Sequence, residues 1–156
     1  MSFRALLDAF SAAVEAGDGR AFAALFAEDG VYHDHFYGEF RGREAVRSLI
    51  EDKFHGEGRD FHWRFHDEAT AGEVGYASFR YAFTSTSTRA AGRRVALSGI
   101  SRFRLRGGLI HDYDDAFEGG VMLHQLGTPG DAMAKVFARW SDRALEDAAL
   151  RRLMEG

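Results

Sequence analysis

Three segments in the middle of this chain alternate apolar and polar side chains with a period of two, and that period leaves few folds open. Phe61, Trp63 and Phe65 alternate with His62, Arg64 and His66. Phe79, Tyr81 and Phe83 alternate with Ser78, Arg80 and Ala82. Val95, Leu97, Ser101, Phe103 and Leu105 alternate with Ser98, Arg102 and Arg104, with Ile100 breaking the pattern. Side chains two apart share a strand face. These segments therefore read as strands of an antiparallel sheet with one buried face and one wet face. Strands are predicted at about 60–67, 73–86, 93–106 and 109–118, joined by Gly-containing turns.

The N-terminal part has a different period. Phe3, Leu6, Leu7, Phe10, Ala13 and Val14 follow helical spacing, and Gly17 supplies a stop. Asp18 caps a second short helix that buries Phe22, Leu25 and Phe26 and closes near Gly30. Val31 to Phe36 reads as a strand, and Gly42 to Phe54 as a helix with Val46, Leu49, Ile50 and Phe54 on one side. Thr128-Pro129 opens a last helix carrying Met133, Val136, Phe137 and Trp140. Helices first and a mostly antiparallel sheet afterwards predict an α+β fold, a curved sheet wrapped around the N-terminal helices. Residues 1–127 form one domain, and 128–156 a C-terminal helical extension of it that acts as a lid or a dimer arm.

With 156 residues, 46% of them hydrophobic, the chain can fill one core. A net charge of -4 argues against nucleic acid as a partner. Zero Cys removes thiol nucleophiles and thiolate metal sites and fits a reducing compartment. Asp8 interrupts the N-terminal apolar stretch too early for a signal peptide, and no run reaches the ~18 apolar residues of a membrane span. The expected location is cytoplasmic.

The chemistry concentrates in the last predicted strand, Gly107-Gly108-Leu109-Ile110-His111-Asp112-Tyr113-Asp114-Asp115-Ala116-Phe117. Strict alternation puts Ile110, Asp112, Asp114 and Ala116 on one face, acidic and facing solvent or a partner. His111, Tyr113, Asp115 and Phe117 fall on the other, so Asp115 is a carboxylate held among aromatic rings. Asp34 is a second candidate, with Tyr32 two residues before it on the same strand face. Burial and a neighbouring carboxylate both raise a carboxyl pKa, which lets one cavity hold an acid and a base near neutral pH. Asp115, Asp34 and Tyr32 are the candidate catalytic residues. Trp63, Tyr81, Phe83, Phe103, Tyr113 and Phe117 are the expected cavity wall, with His55 hanging over its mouth.

Other clusters carry less. His33-Asp34-His35 lacks a nearby third ligand, so no metal is expected. Ser85-Thr86-Ser87-Thr88 reads as a solvated turn. Arg102 and Arg104 face Asp112 and Asp114 as cross-strand pairs. His62, Arg64, His66 and Arg80, too polar for a core, mark the outer sheet face as the contact of a homodimer.

Several strings resemble the nuclear-transport-factor-2-like superfamily, and within it the SnoaL-like polyketide cyclase branch. They are Glu15-Ala16-Gly17-Asp18, Leu25-Phe26-Ala27-Glu28-Asp29-Gly30-Val31-Tyr32, Phe40-Arg41-Gly42-Arg43-Glu44-Ala45-Val46, Gly108-Leu109-Ile110 through Asp115, and Met122-Leu123-His124-Gln125-Leu126-Gly127. The resemblance implies a cone-shaped α+β barrel over roughly residues 3–127. It implies that Asp115 stands where SnoaL-like cyclases and limonene-epoxide-hydrolase-like enzymes place a catalytic aspartate, and Asp34 where ketosteroid isomerases place their general base. Phe10 occupies the place of the isomerase oxyanion-hole tyrosine and Ser101 that of its second acid, which argues against a true ketosteroid isomerase. The Arg-x-Asp pair of the epoxide hydrolases has no clear match around Ser78-Phe79-Arg80-Tyr81. The expected function is a cofactor-free acid/base enzyme, of isomerase, cyclase or hydrolase type, acting on a small hydrophobic substrate. The alternative is a non-catalytic ligand-binding or protein-interaction domain.

Overall fold

In the computed structural model, which describes residues 1–155, two helices lead into six strands. Helix α1 spans Phe3–Ala16, capped by the Ser2 hydroxyl, which accepts from Ala5 N at 3.2 Å. Gly17 closes it at φ 69°, a left-handed conformation that suits glycine. Asp18 caps α2, Gly19–Ala24, by accepting from Ala21 N at 2.9 Å. This second helix is shorter than its sequence implies. Strand β1 already starts at Phe26 and runs to Asp34, because Phe26 pairs with Ile110 of a distant strand. The apolar run Phe22 to Phe26 suits either state, and tertiary pairing decides.

Strand β2, Gly38–Arg41, turns back on β1 in antiparallel register. Helix α3, Arg43–Ser48, continues through a π-helical stretch, Leu49–Phe54, into a last short turn, α4, His55–Glu57. The long strands follow: β3 Gly58–Ala71, β4 Val74–Ser85, β5 Arg94–Arg106 and β6 Leu109–Phe117. Helix α5 covers Gly119–Gln125, α6 Gly130–Glu146 and α7 Ala148–Met154. Among the described residues no helix is long and apolar enough to cross a membrane.

The sheet order is β2-β1-β6-β5-β4-β3, antiparallel except for the parallel pair β1–β6. The sheet curves without closing, so β2 and β3 remain edges. Its inner face, helices α1 to α3 and the π-helical stretch share one core, in which Leu6, Leu7, Phe10, Phe22, Val46 and Leu49 meet Phe65, Phe79 and Phe103. Each such side chain contributes about 1.5–3 kcal/mol on full burial. The alternation of β3 is observed as predicted, Phe61, Trp63 and Phe65 buried and His62 and Arg64 exposed. Ile100, which broke the pattern of β5, stays on the outer face at 56% exposure.

Strict alternation fails at the start of β6. Arg104 pairs with Asp112 but Leu105 pairs with Ile110, leaving His111 as the extra residue of a bulge. Ile110 therefore faces inward, fully buried, and His111 approaches Asp29 instead of the cavity. Beyond the bulge the predicted faces hold. Arg102 on the outer side bridges Asp112 at 3.0 Å and Asp114 at 3.5 Å, while Arg104, opposite Asp112 in register, shows no bridge among the described residues. Asp112 also receives His33 Nε2 at 2.8 Å. Burial works against its charge, yet His33 and Arg102 together hold its carboxyl below the usual range.

Candidate active site

The inner face of the sheet is only partly filled by helices. Where α1 does not reach, a cavity of about 290 Å³ opens between β1, β3, β4, β5 and β6, closed on its far side by the π-helical stretch, α4 and α5. Tyr32 and Asp34 reach it from β1, and Asp115 and Phe117 from β6. Trp63, Tyr81 and Phe83 form the wall supplied by β3 and β4. Both aspartates and these five aromatic residues therefore share one space.

Two expected wall residues and one expected at the mouth lie elsewhere. Phe103 and Tyr113 are on the correct face but fully buried beneath the cavity, where Phe10 of α1 packs on Phe103 at 6.0 Å and Tyr113 at 5.2 Å. His55 does not hang over the mouth. Its Nε2 donates to the Val14 carbonyl at 2.7 Å and its ring lies 4.6 Å from that of Phe61. It finishes the C-terminus of α1, whose last carbonyls need donors, so His55 is a structural cap rather than a ligand contact. Ser85 also differs from its expected place in a solvated turn. It is 3% exposed, lines the cavity and contacts Ser87 Oγ at 3.0 Å.

The residues at the mouth carry no periodic signal that marks them. Phe36 and Tyr37 come from the β1–β2 loop, Lys53 and Phe54 from the π-helical stretch, and Glu57 from α4. Tyr37 donates its hydroxyl to Glu57 at 2.6 Å, and Lys53 lies 5.4 Å from the centre of the Tyr37 ring. On the α5 side Met122, Leu123 and Leu126 close the cavity. Their one-sided spacing is a helical signal that a reading of 119–126 as a helix would have used. Phe61 and Phe79 line the cavity too, as their place in the alternation allows.

Asp34 ends β1 in an Asx turn, its Oδ1 accepting from Phe36 N and Tyr37 N, both at 2.8 Å. Burial raises its pKa, and those two backbone donors limit the rise. Asp115 keeps part of its surface open toward the cavity while protein packs around its carboxyl. Burial, then the nearby Asp34 charge, push its pKa up to about 7. Tyr113 opposes this by donating to Asp115 Oδ2 at 3.1 Å, and the Tyr113 oxygen in turn sits 2.9 Å from Ser101 Oγ. With the Tyr113 proton committed to Asp115, Ser101 is the donor of that second bond. Burial lifts Tyr32, Tyr81 and Tyr113 well above the usual phenol range, which keeps all three neutral donors. A carboxyl that titrates near neutrality inside an aromatic cavity can take up and release protons at physiological pH.

At the rim, Trp140 of α6 lies 4.5 Å from His35 and 5.4 Å from Phe36, against the loop that follows Asp34. A Cβ on Gly119 would come within 2.7 Å of Trp140, so glycine there allows the close approach. Met133, Val136 and Trp140 are half-covered, whereas Phe137 stays 42% exposed and no α6 residue is fully buried.

A family model described as a SnoaL-like domain matches residues 7–113. Among solved structures, a protein of ketosteroid isomerase-like fold from Catenulispora acidiphila, in complex with trimethylamine, aligns with TM-score 0.72 at 25% identity, covering 81% of this chain and 95% of that one. TsrD from Streptomyces laurentii aligns with TM-score 0.71 at 22% identity over 81% of this chain and 95% of its own. A limonene-epoxide-hydrolase-like epoxide hydrolase of Mycobacterium tuberculosis aligns with TM-score 0.63 at 18% identity over 86% and 94%. No curated protein matches the chain.

Proposed function

The chain belongs to the SnoaL-like domain family, and from that premise we propose that it is a cofactor-free acid/base enzyme acting on a small, largely hydrophobic substrate. The observation that carries this reading is the pair Asp34 and Asp115 in one aromatic cavity, with Asp115 pushed up to about 7. In its ionised form Asp115 is a base able to remove a proton next to a carbonyl or from an attacking water. In its protonated form it is an acid able to open an epoxide or finish an aldol closure. Asp34, held by two backbone donors, is the second carboxyl. Tyr32 and Tyr81 are the neutral donors available to a substrate oxygen. The Catenulispora protein of the same fold is in complex with a small molecule, trimethylamine, which supports a small-molecule role for this fold. The experiment is a turnover screen over small epoxides, enones and polyketide esters. A substrate consumed by the wild type but not by Asp34→Asn or Asp115→Asn establishes the enzyme. A ligand that binds in the cavity while nothing in these classes is consumed favours the binding-domain alternative.

Helix α6 is proposed as the cover of this cavity, since it rests on the very loop that follows Asp34. Deleting residues 128–156 is expected to leave the fold intact and to speed release of a neutral cavity dye such as Nile red on the order of tenfold, as loss of a lid does. Unfolding of the shortened chain, or unchanged dye release, rejects the cover.

The outer sheet face is proposed as a homodimer contact. His62, Arg64 and Arg80 are exposed there beside Tyr76 and Ile100, at 47% and 56% exposure. Across a two-fold axis each contact of this face is made twice. Light scattering is expected to give a dimer at tens of micromolar protein. A monomer at every pH at tens of micromolar protein rejects it.

A further inference from the structure

We infer that the ligand of this cavity carries a small alkylammonium group, seated against the aromatic wall with its charge toward Asp34 and Asp115. The inference rests on the site reading above and names its substrate class.

Ten of the twenty residues lining the cavity are Phe, Tyr or Trp. Phe61 lies nearly parallel to Phe83, at 14° and 5.3 Å, and to Phe54, at 18° and 6.0 Å, so this side of the cavity is a continuous aromatic surface. The electron-rich ring faces attract a cation, most strongly where water is excluded. Carboxylates outnumber cations in the lining three to one: Asp34, Glu57 and Asp115 against Lys53. The outer two satisfy themselves, since Glu57 accepts from Tyr37 and Lys53 lies over the Tyr37 ring. The inner two also accept hydrogen bonds, Asp34 from the backbone N–H groups of Phe36 and Tyr37 and Asp115 from Tyr113, yet they lack a counter-ion. Among the described residues neither Asp34 nor Asp115 forms a salt bridge, whereas exposed acids such as Asp8, Asp29 and Glu51 are paired with arginines. Two inward carboxyl groups with no protein counter-ion exclude an anionic ligand by repulsion. A neutral ligand gains apolar contact and a hydrogen bond from Tyr32 or Tyr81, whereas a cation has both charge and ring faces to bind.

The same arrangement links binding to pH. Asp115 is faced by Tyr32 and Asp34 from β1, Tyr81 from β4, Ser101 from β5 and Tyr113 from its own strand, with Asp114 next in sequence and His35 beside Asp34. Toward the mouth stand Glu57 and Lys53. The three phenols stay protonated, so as pH rises the change inside the cavity is ionisation of its carboxyls, Asp34 raised above the usual range and Asp115 to about 7. A quaternary ammonium does not titrate. Its affinity therefore rises as pH climbs to about 7 and levels off above it.

Choline and its uncharged isostere 3,3-dimethylbutan-1-ol test this directly, by NMR titration of the aromatic protons at pH 5, 6, 7 and 8. Choline is expected to bind at least ~10-fold more tightly than the alcohol at pH 8. Its affinity is expected to gain up to tenfold per unit between pH 5 and 7, while that of the alcohol stays flat. In Asp115→Asn the slope near pH 7 disappears and the preference shrinks; Asp34→Asn, whose amide oxygen keeps the Asx turn, shrinks the preference as well. Equal binding of the two ligands, or a preference and slope unchanged in both variants, overturns the inference. Binding and turnover fail separately. Choline preference without turnover of any amine-bearing carbonyl or epoxide leaves this inference standing and removes the catalytic one. Turnover of neutral substrates that choline does not inhibit does the reverse.

Discussion

Asp115→Asn is expected to lower turnover about 10²-fold or more while the protein stays folded. Asparagine keeps the size of the side chain and can still accept from Tyr113, whose hydroxyl lies 3.1 Å from Asp115 Oδ2. It cannot exchange a proton. The pH dependence separates the two roles open to Asp115. Acting as base it works ionised, and the rate rises through about pH 7 to a plateau; acting as acid it works protonated, and the rate falls through the same point. Stability supplies a control that needs no substrate. The folded-state pKa of about 7 stands above the ordinary aspartate value, so the folded protein binds this proton more tightly than the unfolded chain. The contribution is fully present below about pH 4 and is lost as pH rises through 7. Asp115→Asn should therefore be no less stable than wild type at pH 8, and relatively less favoured at pH 5. Turnover equal to wild type removes Asp115 from the mechanism. A variant clearly less stable at pH 8 shows that the buried charge was not costly and removes the account of its raised pKa.

Period-two alternation made the sheet legible because one of its faces is buried along most of its length. Phe61, Trp63 and Phe65 could point inward only together. The helical spacing of α1 was legible for the same reason. What escaped involved single residues or distant partners. The bulge at His111 adds one residue and reverses the faces of Ile110 and His111, and nothing in local composition marks it. The start of β1 at Phe26 depends on Ile110, more than eighty positions away. Strand β2 has four residues, too few for a period to register. The π-helical stretch shifts hydrogen bonds by one residue without changing residue types, yet it belongs to the element that turns Lys53 and Phe54 to the cavity.

The site was legible in one dimension and not in the next. Alternation says which face a strand residue occupies and therefore brought Tyr32, Asp34, Trp63, Tyr81, Asp115 and Phe117 onto the inner face. It does not say where along the strand the helices stop filling that face. Phe103 and Tyr113 share the face with Leu97 and Asp115, but α1 covers the first pair and leaves the second open. The boundary between core and cavity is set by the length and seat of α1, a tertiary quantity. His55 shows the converse case, a polar residue near the mouth in sequence whose donor is claimed by a helix end that needs one.

Phe10→Ala is expected to cost about 3–5 kcal/mol of folding stability, the largest loss available from a single change at that boundary. Phe10 is fully buried, and its ring lies 4.7 Å from Phe22, 5.3 Å from Trp63, 5.4 Å from Phe65 and 5.2 Å from Tyr113. Several of these contacts are edge-to-face, a geometry that aromatic pairs favour beyond their buried area. The neighbours come from α2, β3 and β6, three elements that cannot all move into the space that alanine would leave. A domain of this size is stable by only about 5–15 kcal/mol, so the change removes a large share of the total. Thermal unfolding is expected on the order of 10 °C lower, with Phe10→Leu losing much less because most of the volume remains. The effect also reaches the cavity, because Trp63 has Phe10 behind it and lines the cavity in front. Loosened from behind, Trp63 should broaden in NMR spectra and bind cavity ligands more weakly in Phe10→Ala than in Phe10→Leu. Urea unfolding at fixed pH measures the stability term. A loss under about 1 kcal/mol would mean that the surrounding rings close over the gap, and that the floor of the cavity is set by something other than the seat of α1.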